Sequence, residues 1–264
     1  MPRNDRGVAL LIVLLVTALL IALIFEFSYA TRISLNSAIN FRDSQRAYFL
    51  ARSGIYAFIN YGDKLRDTYI PQGEWGVVPI ISDGDTQVMI KWENEQGKIP
   101  ISIVTRNNDA YGMLSQLFSL KQIDQSVLDN QIAVKNNFYL ASELHAILNK
   151  DEDYLKVAPY VTVSPVPARQ ININTASAEV LQSLCRSLGK DDGVVGMIIS
   201  QRSSKPYAKK EEIPLTPGMD SLVATYLDVA SSYFTVYSYA TVGGYTKQIE
   251  AIVKGKEISY WRAL

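Results

Sequence analysis

The chain contains only one cysteine, Cys185, and only one histidine, His145, among its 264 residues. An internal disulfide bond is therefore excluded, and so is a zinc site built from several Cys and His ligands. A Ser–His–Asp triad would have to use His145, which lies in an ordinary helical pattern. We expect His145 to be a structural residue and Cys185 to be a buried apolar one.

An excess of one charge is also missing, because 26 Lys and Arg residues balance 26 Asp and Glu residues. The whole chain therefore shows no bias toward nucleic acid or acidic lipid. It carries no glycine-rich phosphate loop, nucleophile elbow or metal-binding motif. A hydrolase with two carboxylates from distant parts of the chain stays open as an alternative. We predict that the protein is not an enzyme.

The N-terminus holds the longest apolar run. In residues 8–25, Thr17 is the only side chain that forms hydrogen bonds, and Arg3, Arg6 and Gly7 come just before it. As a helix the run would be ~27 Å long, close to the hydrocarbon thickness of a bilayer. The run therefore predicts a segment that crosses a membrane.

Three interpretations of this N-terminus compete. A secretory signal peptide would be cut after Ser28-Tyr29-Ala30, although its apolar core usually has only about 7–15 residues. A plain membrane anchor would stay uncut. A prepilin leader is a short basic segment that is cut after a glycine, here Gly7, while the apolar helix is kept. Apolar residues at helical spacing from Ala47 to Ile59 favour a retained helix that continues beyond the membrane.

The rest of the chain predicts strands at both ends and helices between them. We expect a loop over 71–79 and a hairpin of strands 86–92 and 98–104 around the turn 93–97. Further strands are predicted over 233–242, 247–253 and 258–262, and the strands within 233–253 are expected to pair with those within 86–104. The predicted helices cover 110–120, 125–134, 142–148, 151–157, 193–201 and 220–226.

A further helix is predicted after the sequence Ile171-Asn172-Ile173-Asn174-Thr175-Ala176. Asn174 or Thr175 is expected to cap its N-terminus. Glu179 complements the positive end of the helix dipole. The helical block between the two strand regions predicts an insertion into one small sheet domain.

Five short motifs accompany the apolar run in a characteristic order. They are Arg6-Gly7, Ala51-Arg52-Ser53-Gly54-Ile55, Glu95-Gln96-Gly97-Lys98-Ile99, Tyr160-Val161-Thr162-Val163 followed by the asparagine motif above, and the closing Tyr260-Trp261-Arg262. In this arrangement the chain resembles the K-type minor pseudopilins of type II secretion systems. The likeness extends over nearly the whole sequence.

The resemblance implies an α+β fold: an N-terminal transmembrane and stalk α-helix, and a pseudopilin-type antiparallel sheet with a large inserted α-helical domain. The expected parts are a prepilin leader at 1–7, the transmembrane and stalk helix at 8–67, and a pseudopilin domain at 68–106 and 229–264. The inserted domain covers 107–228 and includes a helix-hairpin-helix-like segment at 170–220. Asn172, Asn174 and Thr175 are its expected structural motif.

The resemblance also implies how the protein matures and with what it assembles. A prepilin peptidase is expected to cut between Gly7 and Val8, and methylation accompanies such processing. Leu11, Ile12, Leu15 and Leu19 are expected to form the packing surface of the membrane helix. The expected location is the bacterial inner membrane, crossed once, with the body in the periplasm. Expected partners are the I- and J-type minor pseudopilins, the major pseudopilin and inner-membrane lipid.

The residue at mature position five bears on the role within the filament. Most pilin-like subunits carry Glu there, whereas cleavage after Gly7 puts Ile12 at that position. Lack of this Glu is typical of the K type and implies a subunit that caps the pseudopilus tip. The resemblance further implies that the tip complex helps to start filament assembly.

Two ligand hypotheses remain to be weighed. Some relatives bind calcium in the inserted domain, but the comparable stretch 127–132 is poor in acids, and Ca²⁺ needs six or more oxygen ligands. We therefore predict no metal and no cofactor, with calcium left as an alternative. Segment 170–220 also resembles the helix-hairpin-helix modules of DNA-uptake receptors. Asp191 and Asp192 would repel a phosphate at its hairpin, so no nucleic acid is expected and a membrane-anchored DNA-binding protein is the alternative function.

Overall fold

The computed structural model describes residues 5–66, 76–132, 136–139, 141–148, 150–163 and 166–264. Its first element is one continuous helix, α1, over Asp5–Arg66. The prediction that the apolar helix continues without a break beyond residue 25 is confirmed. The polar stretch 34–37 does not interrupt the helix, because Ser and Asn in mid-helix cost little when their side chains face solvent.

A five-stranded antiparallel sheet lies against the end of α1. Its strands cover Gly76–Asp83 (β1), Thr86–Asn94 (β2), Tyr233–Val242 (β7), Tyr245–Lys254 (β8) and Glu257–Ala263 (β9). Their order in the sheet is β1-β2-β7-β8-β9. The predicted pairing of the first strand region with 233–242 is therefore confirmed, and so is the fold class.

Two of the strand predictions are wrong. Segment 98–104 does not return along β2, because a 3₁₀ turn at Glu95–Gly97, capped by the Asn94 side chain, directs the chain away from the sheet. Within this segment the strand is Ile99–Pro100 (β3), which pairs in parallel with Val161–Thr162 (β4). The strand that pairs with β2 on the edge of the sheet is β1, which begins inside the predicted loop 71–79. The part of that loop before residue 76 lies outside the described residues.

The helical block follows the predictions closely. The α-helices are Asp109–Leu120 (α2), Gln125–Ile132 (α3), Asp151–Val157 (α4), Ala178–Ser187 (α5), Val194–Ser204 (α6) and Ser221–Tyr226 (α7). The predicted helix 142–148 is instead a 3₁₀ segment, Ala141–Ala146. A short parallel pair, Ile171–Asn172 (β5) with Leu227–Asp228 (β6), joins the beginning and the end of the second half of this block.

Two separate apolar cores form. One lies between the sheet and α1, where Ala51, Ile55 and Phe58 meet buried residues of β2, β7 and β8. The other holds the helical block together and includes residues from Ile99 to Leu227. The helical block thus has its own core and is connected to the sheet through the chain segments that leave β2 and enter β7.

The position of the block along the stalk follows from contacts of α1. Near the C-terminal end of α1, the Phe58 ring lies 5.8 Å from that of Trp92 and 5.7 Å from that of Phe234. Asp43, fifteen residues earlier, lies at the Gly243-Gly244 turn between β7 and β8. The chain therefore leaves β2 and re-enters β7 at the end of the body that is farther from the N-terminus of α1.

Candidate functional site

The first half of α1 is a bare apolar helix. The helix is long and apolar enough to cross a membrane, with a mean hydropathy of 3.3 over its most apolar 18 residues. Leu11, Ile12, Leu15 and Leu19 all lie on it with more than half of their surface exposed. Their spacing places them on one side of the helix. Their role in helix packing stays a prediction.

Gly7 and Val8, the predicted cleavage site, lie in the first turns of α1. A Cβ atom added to Gly7 would meet nothing within 4 Å. No contact in the described part of the chain therefore requires glycine at this position.

Beyond the apolar run, α1 exposes apolar side chains over a further stretch. Phe27, Ile33 and Ile39 remain exposed before the first contacts with the sheet begin near Asp43. From Phe25 to Asp43 this bare stalk is ~27 Å long. Farther up, Phe41, Phe49 and Tyr56 recur at spacings of eight and seven and stay 67%, 57% and 44% exposed. They form an outer stripe on a face different from the one that packs on the sheet.

The asparagine motif lies where the helical block joins the sheet. Asn172 is buried, and its side chain donates to the Val229 carbonyl at 2.9 Å and to the Ser231 hydroxyl at 2.6 Å. Its Oδ1 accepts from the Asn174 backbone N–H at 2.8 Å. One side chain thereby ties the segment after β6, which leads into β7, to the start of α5.

Asn174 carries out a second crosslink within the block. Its side chain donates to the Tyr207 carbonyl and accepts from the Tyr207 backbone N–H, both at 2.9 Å. The Asn174 side-chain amide thus bonds the Tyr207 backbone as a peptide group of a neighbouring β-strand would. The predicted capping role is wrong: Ser177 caps α5 by accepting from the Val180 backbone N–H at 3.0 Å. Asn174 and Thr175 lie in the turn before the helix, where the Asn174 side chain is held by Tyr207.

The Glu95–Lys98 motif packs directly against the asparagine motif. A Cβ atom on Gly97 would lie 2.8 Å from Thr175 Oγ1 and 2.9 Å from both the Thr175 carbonyl carbon and oxygen. Only glycine fits between these two chain segments. The structure thus brings Gly97 into contact with Thr175, 78 residues later in the chain, and the sequence did not reveal that the two motifs touch.

Gln96 joins the same junction from the sheet side. Its Nε2 donates to the Gln170 carbonyl at 3.2 Å, and its Oε1 accepts from the Ser232 hydroxyl at 3.3 Å and from the Ser232 backbone N–H. Asn94 donates to the Ser231 hydroxyl at 2.5 Å. Ser231 and Ser232 were not predicted as site residues. The signal in the sequence that could have indicated them is a pair of small polar residues directly before the clearly predicted strand 233–242.

A buried ionic cluster lies beside this junction. Lys98 Nζ is 2.8 Å from Glu93 Oε2 and 3.5 Å from Glu95 Oε1, and Glu95 Oε1 also accepts from the Thr235 hydroxyl at 2.6 Å. Burial alone would lower the pKa of Lys98, but the two carboxylates outweigh it and the pKa is raised. Burial raises the pKa of Glu93, and Glu95 adds to the rise. Such a cluster fixes geometry more than it adds stability.

The helix-hairpin-helix-like segment is arranged for packing. A Cβ atom on Gly193, at the start of α6, would lie 3.0 Å from Asp191 Oδ2, so a carboxylate already lies beside the α6 N-terminus, where a phosphate would approach. Arg186 pairs with Asp192 at 2.7 Å and Lys190 with Asp220 at 2.9 Å. Arg202 is buried and donates to the Ile173 and Ala176 carbonyls at 2.7 and 2.6 Å. These groups hold the block together.

Cys185 and His145, the two residues weighed as catalytic candidates, both lie in packing environments. Burial raises the pKa of the Cys185 thiol to about 11, which leaves it protonated and unreactive. The His145 ring stacks on Tyr154 with centroids 4.5 Å apart, and its Nε2 is 3.4 Å from Asp151. Among the described residues, no group of three or more His, Cys, Asp or Glu side chains is arranged to hold a metal ion.

Three comparisons place the chain among known proteins. The family profile of type II secretion system protein K matches residues 171–236, which include the asparagine motif and most of β7. Type II secretion system protein K of Aeromonas hydrophila is 32% identical over 117 residues, which cover 39% of this chain and 34% of that protein. The chain thus aligns with about a third of the length of this curated relative.

The structural comparison extends much further along the chain. One chain of the GspK-GspI-GspJ complex from the type 2 secretion system of enterotoxigenic Escherichia coli matches with a TM-score of 0.56. The match covers 89% of this chain and 99% of that one, at 17% sequence identity. The fold is therefore shared. The resemblance to the K-type minor pseudopilins that the sequence motifs indicated is confirmed.

Proposed function

We propose that this protein is the K-type minor pseudopilin of a type II secretion system and that it caps the pseudopilus tip. The observation that carries the proposal is the division of α1. Its first half exposes apolar residues on every side, whereas its second half packs on the sheet through one stripe. A helix of this kind serves first as a membrane anchor and then as a stalk.

Processing by a prepilin peptidase explains the glycine at position 7. No packing contact of the described chain requires Gly7, since the space around it is open. Recognition by a peptidase at the membrane surface would require it instead. Cleavage there leaves Val8 as the first residue of a mature chain that crosses the inner membrane once, with its body in the periplasm.

The location of the helical block supports the capping role. The block leaves and rejoins the sheet at the end of the body far from the membrane helix. The hydrogen bonds of Gln96 and Asn172 hold it there. A bulky block at the distal end obstructs the site where a further subunit would be added. Ile12 at mature position five fits a subunit that has no neighbour above it.

The partners we propose are the I- and J-type minor pseudopilins, with the major pseudopilin below them. Apolar side chains of the bare stalk and of the outer stripe formed by Phe41, Phe49 and Tyr56 are exposed to solvent in the isolated chain. Neighbouring stalk helices would bury them, as apolar stripes at spacings of seven and eight do in helix pairs. Assembly of this tip complex then starts the filament.

Copurification tests the proposed function. The full chain, extracted from membranes in mild detergent, is expected to bring down the I- and J-type pseudopilins. Phe49→Asp should reduce the recovered partners at least fivefold, because it places a charge in the outer stripe. Asn60→Asp is the matched control, since Asn60 is also exposed on α1 but lies above the stripe. Recovery of an I–J complex that never contains this chain would refute the proposal.

A further inference from the structure

A cleft separates the helical block from the face of the sheet opposite α1. It encloses about 870 Å³ and is open to solvent. The sheet side is formed by β7, β8 and β9, and the block side by segments around Ile103 and Tyr139. These two residues are 60% and 78% exposed at the cleft. A volume of this size is typical of ligand-binding sites, and it exceeds the volume of a single amino-acid side chain.

The described residues that line the cleft carry more negative than positive charge. On the sheet face, Arg262 Nε donates to Glu250, which also accepts from the Tyr237 hydroxyl at 2.9 Å. Beside them, Lys98 forms ion pairs with both Glu93 and Glu95. Three carboxylates therefore face two cations, and one negative charge is left over.

Of the two carboxylates beside Lys98, Glu93 is the one that a ligand in the cleft can reach. Its side chain is 18% exposed, against 7% for Glu95, so it is the more accessible acid of the cluster. Thr235 satisfies Glu95 from the sheet. Lys98 Nζ is 2.8 Å from Glu93 and 3.5 Å from Glu95, so the two carboxylates share one cation. A cation that entered the cleft would balance the negative charge that Lys98 and Arg262 leave uncompensated.

Tyrosine rings surround the same space. Tyr154 lines the cleft from the block, and Tyr237 and Tyr260 line it from the sheet. Tyrosine faces attract cations, above all guanidinium groups. Carboxylates and several aromatic rings in one cleft favour a basic side chain over an acidic or purely apolar one.

We propose that this cleft binds an extended segment of a partner protein through a basic side chain that points toward Glu93. The exposed Ile103 and Tyr139 at the mouth contact the flanking residues of that segment. A protein segment fits better than a free cation, because the cleft extends well past the carboxylates and has apolar walls. The site lies outside the outer stripe of α1, so the proposal goes beyond the capping function and does not rest on it.

Peptide binding to the purified full chain in a nonionic detergent tests this. The probes are three fluorescein-labelled pentapeptides, Gly-Ser-Arg-Ser-Gly and the same sequence with Gln or Glu in the centre, followed by fluorescence anisotropy. We expect the Arg peptide to bind at least fivefold more tightly than the Gln peptide, and the Glu peptide to bind least. Raising the salt concentration should weaken only the Arg peptide.

Two variants identify the site. Glu93→Gln is expected to weaken the Arg peptide about five- to tenfold, the size of one partly desolvated ion pair, without changing the Gln peptide. Tyr260→Leu, at the exposed edge of the cleft, should weaken it two- to fivefold through loss of a ring and serves if Glu93→Gln does not fold. Glu257→Gln, an exposed acid on β9 outside the cleft, is the control. Equal affinities for the Arg and Gln peptides, or unchanged binding in both cleft variants, would overturn the proposal.

Discussion

Gly54 of the stalk helix lies directly against Ser238 of the central strand β7. A Cβ atom on Gly54 would lie 3.2 Å from Ser238 Cβ and would overlap the Ser238 hydroxyl. Ser238 is fully buried, and its Oγ has no hydrogen-bond partner in the described part of the chain. The close approach of helix and sheet at this point therefore depends on one residue without a side chain and one with a small one.

Gly54→Ala is expected to destabilise the body by ~1–3 kcal/mol, because the added methyl group forces α1 away from β7. Thermal unfolding in detergent, followed by circular dichroism, measures the change. Ser238→Ala should leave stability unchanged or raise it, because it removes an unsatisfied buried hydroxyl. In the double variant the cost of Gly54→Ala should shrink. A cost that is the same in both backgrounds would contradict the contact described here.

The junction of the two motifs gives a second test, with Gly97 as its centre. Gly97→Ala should destabilise the protein by ~1–3 kcal/mol, since the methyl group would meet the backbone of Thr175. Gly196→Ala is the matched control: Gly196 lies exposed inside α6, and its added Cβ meets nothing within 4 Å. That change should stabilise the protein by about 0.5–1 kcal/mol through helix propensity. Equal effects of the two substitutions would refute the junction.

Calcium gives a test of the predicted absence of a metal. We expect 5 mM Ca²⁺ to leave the melting temperature unchanged within about 1 °C, and EDTA likewise. A ligand that binds only the folded state raises the melting temperature, and the rise grows with the logarithm of the ligand concentration once this exceeds the dissociation constant. A clear rise with Ca²⁺ but not with Mg²⁺ would show that a calcium site exists.

The proposed processing after Gly7 predicts that the residue at this position matters for maturation. Gly7→Val is expected to leave the leader in place, because the branched side chain would not fit a peptidase that accepts glycine. Leu15→Ile, farther along the apolar run, is the control and should be processed normally. Gel mobility of the protein in membranes separates the two forms. Normal maturation of Gly7→Val would contradict the leader assignment.

The elements that the sequence predicted well are those with a local signal. Helix α1 and strand β7 carry a long periodic pattern, and the structure has both where they were predicted. The prediction of a hairpin of 86–92 with 98–104 was wrong because β3 pairs with β4, more than sixty residues away. A local sequence pattern does not indicate so distant a partner. Edge strand β1 was missed because Pro79 and flanking glycines indicate a loop, while pairing with β2 overrides them.

The candidate site was predicted in part. Asn172, Asn174 and Thr175 were predicted as a structural motif, with Asn174 or Thr175 as a helix cap. Their actual role, as crosslinks between chain segments, depends on Tyr207, Val229 and Gly97. Hydrogen bonds over such separations in sequence become visible only when the fold is known. The same holds for the cleft, whose walls come from residues between Glu93 and Arg262.

The N-terminal residue of the mature protein in its native membrane tests the central claim most directly. Mass spectrometry of the intact protein identifies it. The proposed pseudopilin begins at Val8, so that the entire apolar helix is retained and the basic leader is lost. A chain that begins at Thr31, as after a secretory signal peptide, or that keeps Met1, as in a plain anchor, would contradict it.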